Sequence, residues 1–362
     1  MNGAQILAEL RTLVPVMQDR AAALDEAEAF PVDDVADLRR MGALAAPLPT
    51  EFGGVGAGTE PLAAKVTLEL LTTLGQGNLA VGRLVEAHVN AIRLIVHFGT
   101  RQQVQTLAKQ VLSGDLLGLW VTDAPGAEVV LNNGLLQGRK APCSGAGYVA
   151  SALITVATAA GTRLAVAGMG RGERVRPFRG VLPGMRAAIN GAVSFDDVPL
   201  PPEALIGGDG DYLREPDFST GAWRTTAVTL GGLQSLVHAT RRELQRKGHQ
   251  TAPLQQERFG RLLIAVETAR LWTEAAASYG ECQTGAIADR VAYVNLARIA
   301  VEAACLGSIQ IVQRALGLGS LLRPSPVERI SRDLAVYLRQ PAPDAVLLEA
   351  AQHGFNSAPE RG

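Results

Sequence analysis

"LLGLWVTDAPGAEVVLNNGLLQGRK", Leu116 to Lys140, is where the texture of this 362-residue chain changes. Before Ser113 the apolar residues recur at helical spacing. From Gly114 to about Gly208 they come instead as short β-type runs: "LLGLWVT", "VVLNNGLLQGRK", "ALITVATA", "RLAVAGM" and "GAVSFDDV". Gly, Pro and Asn separate these runs at close intervals, which predicts a small antiparallel β domain.

On the N-terminal side, residues 4–29 read as a helix, with Ile6, Leu7, Leu10 and Leu13 on one face. "VDDVADLRRMGALA" opens on aspartates and meets a Gly after its basic end, as a short capped helix does. A Gly- and Pro-rich loop, Pro47 to Thr59, leads into further helix that includes "LAVGRLVEAHVNAIRLIVHFG". Beyond "GGDGDYLREPD" the spacing predicts long helices over roughly 220–247, 256–281, 286–316 and 325–339. Helices, then strands, then helices imply segregated α+β layers divided at 1–113, 114–208 and 209–362. A Rossmann fold is excluded, because "GLGLGS" lacks the GxGxxG spacing and follows a helical pattern.

Hydrophobic residues make up 47% of the chain and charged residues 19%, which is globular composition. Aromatics are only 4%, so the core is built from Ala, Leu and Val, a composition that favours close-packed helices. A net charge of −1 without a basic stripe argues against nucleic acid. The longest apolar stretch, Val149 to Met169, is split by "AAGTR" and reads as a β-hairpin instead of a membrane span. "MNGAQILAELRTLV" is not signal-like, and Cys143, Cys282 and Cys305 are too scattered for a disulfide framework or metal site. The expectation is a soluble, reduced, cytoplasmic protein.

Several stretches then become recognisable in order. "PLPTEFGGVGAG" resembles the P-x-E-(Y/F)-G-G-x-G loop of the acyl-CoA dehydrogenase family, and "LWVTDAPGAE" is similar to its V-T-E-P-G-A-G-S-D segment. "GRKAPCSGAG", "GMRAAINGAVSFDDVPLP", "RRELQRKGHQTAPLQQ", "VQRALGLGS" and "VERISRDL" resemble later motifs of the same family, collinearly over essentially the whole chain. The resemblance implies an N-terminal helical domain, a middle β domain and a C-terminal four-helix bundle. It further implies FAD held between β domain and bundle and completed by a neighbouring subunit, hence a homodimer or homotetramer acting on a small molecule, with an acyl thioester as one candidate.

By that resemblance Val121, Thr122, Cys143 and Ser144 lie at the flavin ring, with Pro142 where an aromatic usually stands. Thr122 alone would otherwise read as a strand-end residue, and Ser144 as a turn residue before Gly. Arg246 would meet the FAD pyrophosphate through its planar donor fork, and Gln313, Gly317 and Gly319 would present side chain and bare backbone to a partner's cofactor. The blander alternatives are a cation at a helix C-terminus and a Gly-terminated helix. His88, His97, His238, His249 and His353 are isolated, without metal spacing, and no G-x-S-x-G motif occurs.

The family's catalytic glutamate takes the α-proton of the thioester. Counting from Arg332–Asp333, its position is Pro341, and the alternative position on an earlier helix falls near Ala222. Neither can accept a proton, and such a base contributes about 10²–10⁴-fold. Asp344 is the one nearby carboxylate, although acidic residues are favoured at that helix start in any case. The loop after "TDAPGA" is also cut short, which weakens the case for a CoA thioester. Three expectations stand side by side: a dehydrogenase-like flavoprotein acting on CH–CH or an acidic C–H of an unusual substrate, a reduced-flavin monooxygenase, and a non-catalytic relative.

Overall fold

A computed structural model of the chain describes residues 2–170, 174–177 and 182–357. Five helices come first: α1 (Gly3–Ala27), α2 (Val32–Arg40), α3 (Ala64–Gly77), α4 (Leu79–Phe98) and α5 (Arg101–Leu112). Their ends follow from local chemistry. Asn2 and Gln5 form a capping box at the start of α1, and Thr100 with Gln103 does the same for α5.

The strands are β1 (Leu117–Trp120), β2 (Val130–Asn132), β3 (Leu135–Gln137), β4 (Arg139–Ser144), β5 (Ser151–Ala157), β6 (Thr162–Gly168), β7 (Val175–Pro177), β8 (Asn190–Ser194), β9 (Val198–Pro199) and β10 (Leu205–Ile206). One sheet runs β10-β6-β5-β2-β3-β9 and the other β4-β8-β7. The apolar stretch from Val149 is the β5–β6 hairpin, registered from Ser151↔Gly168 to Ala157↔Thr162. The pairing is mostly antiparallel, but β1 joins β5 in parallel, Leu117↔Ser151 to Trp120↔Ile154. β5 is covered on both faces, which explains its unbroken apolar run: Ala152, Ile154 and Val156 join the main core and Leu153 a second core under α4 and α5.

The remaining helices are α6 (Asp217–Thr220), α7 (Ala222–Arg246), α8 (Pro253–Glu281), α9 (Ile287–Leu316), α10 (Pro326–Tyr337) and α11 (Pro343–Asn356). α3 and α7 cross at glycines because nothing larger fits. A Cβ on Gly231 would lie 2.0 Å from the Thr72 carbonyl oxygen, and one on Gly75 would lie 2.2 Å from that of Val228.

His88 of α4 is fully buried and ties three pieces together. Its Nδ1 accepts the Leu117 N–H at 3.0 Å, so Nε2 carries the proton and donates to the Leu44 carbonyl at 2.8 Å. The imidazole thereby fixes β1, whose end carries Val121 and Thr122, to the helical domain.

Candidate functional site

The end of β1 is held from below by a buried lysine. Lys140 donates to Asp123 Oδ1 at 2.6 Å and to Thr155 Oγ1 at 2.7 Å, and the Thr155 hydroxyl in turn donates to the Val121 carbonyl at 3.1 Å. Burial pulls the Lys140 ammonium down, against the pull of Asp123. Asp123 also accepts the Val129 N–H at 3.0 Å, and the Thr122 carbonyl accepts Ala141 N–H at 3.1 Å. With its backbone pinned, Thr122 remains exposed and its hydroxyl has no protein partner among the described residues. Pro142 follows a cis peptide bond and is exposed, whereas Ser144 is nearly buried and donates to Asn190 Oδ1 at 2.9 Å.

Cys143 departs from the sequence expectation. Its side chain is completely buried and its thiol donates to the Lys140 carbonyl at 3.2 Å, with burial pushing the thiol up to about 12. The β4–β8 register shifts between Lys140 and Cys143, which turns this side chain inward. Only its backbone can face a cofactor.

A second group forms at the far end of α7. Arg246 is exposed and grips Glu243 with two nitrogens at 2.8 and 2.7 Å, holding that carboxylate at about 2. Gly317 (φ +59°) closes α9, and a Cβ at Gly319 would stand 3.2 Å from Lys247 Nζ, so the ends of α7 and α9 meet. Gln313 and Gly317 are exposed. A recess of about 330 Å³, lined by Arg241, Gln245, Gln255 and Phe259, lies beside them. Within one chain no hydrogen bond or ion pair among the described residues joins this group to Val121, Thr122, Cys143 or Ser144.

The base position is chemically empty. Pro341 is exposed and its carbonyl accepts a hydrogen bond from Arg298, Ala222 merely opens α7, and Asp344 is exposed in the first turn of α11. The preceding Arg–Asp pair is mechanical. Asp333 is buried, accepts Met185 N–H at 2.6 Å and pairs with Arg329 at 3.2 Å. Arg332 bridges Glu328, the Pro183 carbonyl and, at 2.7 Å, Asp25. This signature bolts the loop before β8 to the bundle.

What the sequence reading missed is a polar stripe along α4: Arg83, Glu86, Asn90, Arg93 and His97. Arg83 and Asn90 both bind Glu86, and Thr225 of α7 donates to it at 3.4 Å. Asn90 accepts from Arg224, which shares Glu281 with Trp223, both at 2.9 Å, and with Arg93 at 2.7 Å. Arg93 continues to Asp217 at 3.2 Å, whose other oxygen is 3.3 Å from His97. Tyr337 of α10 stands beside Thr225 without a well-formed hydrogen bond. Burial first, and Glu86 second, hold its phenol neutral, well above the ordinary tyrosine value. Burial would lower Arg83, but Glu86, Tyr337 and Tyr212 together outweigh it and the net shift is upward. The signal was present in the sequence as polar residues spaced 3, 4, 3 and 4 apart on an otherwise apolar helix.

A surface grouping of Ser357, His353 and Asp289 is no catalytic triad. Both partners approach the same ring nitrogen, Nε2, at 3.3 and 2.7 Å, so no proton can pass through the ring between them.

Residues 5–115 match the pattern of the acyl-CoA dehydrogenase N-terminal domain. Over 357 residues the chain is 26% identical to the mitochondrial short-chain specific acyl-CoA dehydrogenase of Rattus norvegicus, covering 90% of this chain and 82% of that protein. The structure resembles butyryl-CoA dehydrogenase from Megasphaera elsdenii with a TM-score of 0.84 at 14% identity, covering 98% of both chains. It resembles dibenzothiophene monooxygenase from a Paenibacillus species with a TM-score of 0.82 at 17% identity, covering 97% of both. Residues 5–115 thus carry an acyl-CoA dehydrogenase N-terminal domain, and the whole chain shares the fold of these proteins, as the collinear motifs implied. Both dehydrogenases and flavin monooxygenases are built on this fold.

Proposed function

We propose that this chain is a flavin-dependent oxidoreductase whose chemistry runs without a carboxylate base, as in reduced-flavin monooxygenation. One observation carries this reading. The base position is Pro341, and Glu86, the carboxylate beside Tyr337, is already committed to Arg83, Asn90 and Thr225. A carboxylate saturated in this way is a poor acceptor for a proton on carbon.

The residues present fit a flavin, with FAD the form the family uses. Thr122 offers an unpaired hydroxyl at a rigid strand end, supported by the Lys140–Asp123–Thr155 contacts, and Pro142 offers an exposed apolar edge. Arg246, whose Nη1 is left free by Glu243, and the open backbone at Gly317 beside Gln313 offer a positive charge and N–H groups suited to a pyrophosphate. Since no hydrogen bond or ion pair among the described residues joins the two groups within one chain, we read each FAD as held by two subunits. Exposed Leu263, Ile264 and Leu271 on α8 and Leu348 and Phe355 on α11 suit subunit contacts. α9 with its following turn is long and apolar enough to cross a membrane, yet it packs along α7, α8 and α11. We read the protein as a soluble homodimer or homotetramer.

When bound, the flavin supplies the redox chemistry, and this chain orients the ring and positions donors. The test is reconstitution with FAD, gel filtration, and anaerobic mixing with saturated acyl-CoA thioesters. We expect the flavin to be retained and its visible absorption to persist with every thioester. A second reading, dehydrogenation of an unusual acyl substrate, draws on the likeness to short-chain acyl-CoA dehydrogenase. Rapid bleaching by any thioester would establish it instead, and a chain that refuses flavin would be the non-catalytic relative.

A further inference from the structure

We propose that the cleft between α4, α7 and α10 receives a substrate carboxylate, with the free edge of the Arg83 guanidinium as its principal partner and the Tyr337 hydroxyl as a second donor. The inference rests on the oxidoreductase reading and names the substrate class of that site.

Arg83 lies on a helix that is otherwise interior. Its neighbours Leu84, Val85, Glu86 and Ala87 are 0–4% exposed, whereas 29% of the Arg83 side chain meets solvent. A solvent-reachable side chain in such surroundings marks a cleft. Nη1 is engaged by Glu86, while Nε and Nη2 have no protein partner and are open. That pair of parallel N–H donors is the edge that matches the two oxygens of a carboxylate.

Tyr337 adds a second, independent pointer. It is 5% exposed and its hydroxyl is buried without a hydrogen bond, beside Thr225 and near the Arg83–Glu86 pair. A buried hydroxyl without a partner is a standing penalty that an incoming acceptor removes. The phenol is neutral and can only donate to an anion at this point. Glu86 is the internal competitor for the same cation, so its charge sets how tightly an external carboxylate is held.

The test is a ligand-observed NMR titration of the FAD-reconstituted protein with hexanoate and benzoate, each against its primary amide. Each acid is expected to bind about tenfold or more tighter than its amide, the difference between a charged and a neutral acceptor on a guanidinium. Arg83→Gln should abolish that preference, and Arg83→Lys, which keeps the charge and loses the fork, should retain part of it. Glu86→Gln should tighten acid binding several-fold by removing the competitor, and Tyr337→Phe should weaken it. If Arg83→Gln does not fold, the Glu86 and Tyr337 variants still decide the matter. Equal binding of acids and amides, or no acid binding at all, would overturn the proposal. Retained visible flavin absorption with no acid preference sinks this inference and leaves the oxidoreductase reading. Acid preference in a chain that refuses flavin does the reverse.

Discussion

Acidification should destabilise this protein through a single imidazole. His88 is fully buried between α4, the Leu44 carbonyl and β1, and it is neutral with Nδ1 accepting and Nε2 donating. Burial lowers its titration from 6.5 to about 4, opposed only in part by the Leu44 carbonyl. In the unfolded chain the ring takes up a proton below 6.5, while the folded state resists until about 4. The stability His88 contributes is therefore complete above pH 6.5, lost progressively between 6.5 and about 4, and fully gone below. Linkage puts the loss at roughly 1 kcal/mol at pH 5.5 and roughly 2–3 kcal/mol at pH 4.5. Protonation also turns Nδ1 into a donor facing the Leu117 N–H, so β1 loses its anchor as the proton arrives. The assay is urea unfolding at about pH 7.5, 5.5 and 4.5 for the native chain and for His88→Gln, which cannot titrate. The variant should begin about 1–3 kcal/mol less stable, from imperfect replacement of two buried hydrogen bonds. Between the highest and lowest pH it should lose roughly 2–3 kcal/mol less than the native chain. Parallel pH profiles for the two proteins would refute the assignment.

Asp333→Ala strands a buried Arg329 and the Met185 N–H, and urea unfolding should show a loss of about 3–5 kcal/mol. Asp344→Asn, on an exposed first turn, should stay within about 0.5 kcal/mol and leave any turnover unchanged; a large drop in turnover would restore it as a base. Lys140→Met removes the support under Val121 and Thr122, so flavin affinity, read from absorbance after gel filtration, should fall about tenfold or more. Gly231→Ala forces apart the α3–α7 crossing and should cost at least about 1–3 kcal/mol by thermal or urea unfolding.

Legibility in the sequence tracked the range of the interaction responsible. The four long C-terminal helices followed from apolar periodicity alone, and their observed bounds, Ala222–Arg246, Pro253–Glu281, Ile287–Leu316 and Pro326–Tyr337, lie within a few residues of the expected ones. The β5–β6 hairpin was readable because its turn, Thr158 to Gly161, is local. The parallel β1–β5 pair was not, since adjacency across some thirty residues leaves no local mark. The inward turn of the Cys143 side chain was not legible for a related reason: the register shift in β4 depends on β8, far along the chain. Pro341 was identifiable by counting from Arg332–Asp333, but the role of that pair in holding the loop at Met185 needed coordinates. The stripe on α4 is masked in the sequence because its polar residues recur at the same helical period as the apolar residues that dominate the helix.

That stripe also bears on why the base could be dispensed with. Arg83, Arg224 and Arg93 are met by Glu86, Glu281 and Asp217, so three cations face three anions on the interior side of α4. Removing charges from water costs several kcal/mol per ion, and well-packed apolar residues of similar volume would often be as stable or more so. Fold stability therefore gives no reason to keep the stripe. An apolar acyl chain gives none either, because its slot would be better lined by Leu and Val. A polar substrate does give one. Fixed dipoles and charges arranged before the ligand arrives stabilise it without reorganisation, and a balanced network can hold an open guanidinium edge at a partly solvated cleft. Under the proposed carboxylate site, the absence of a base at Pro341 and the polar face of α4 would both serve a charged substrate that needs no α-proton abstraction.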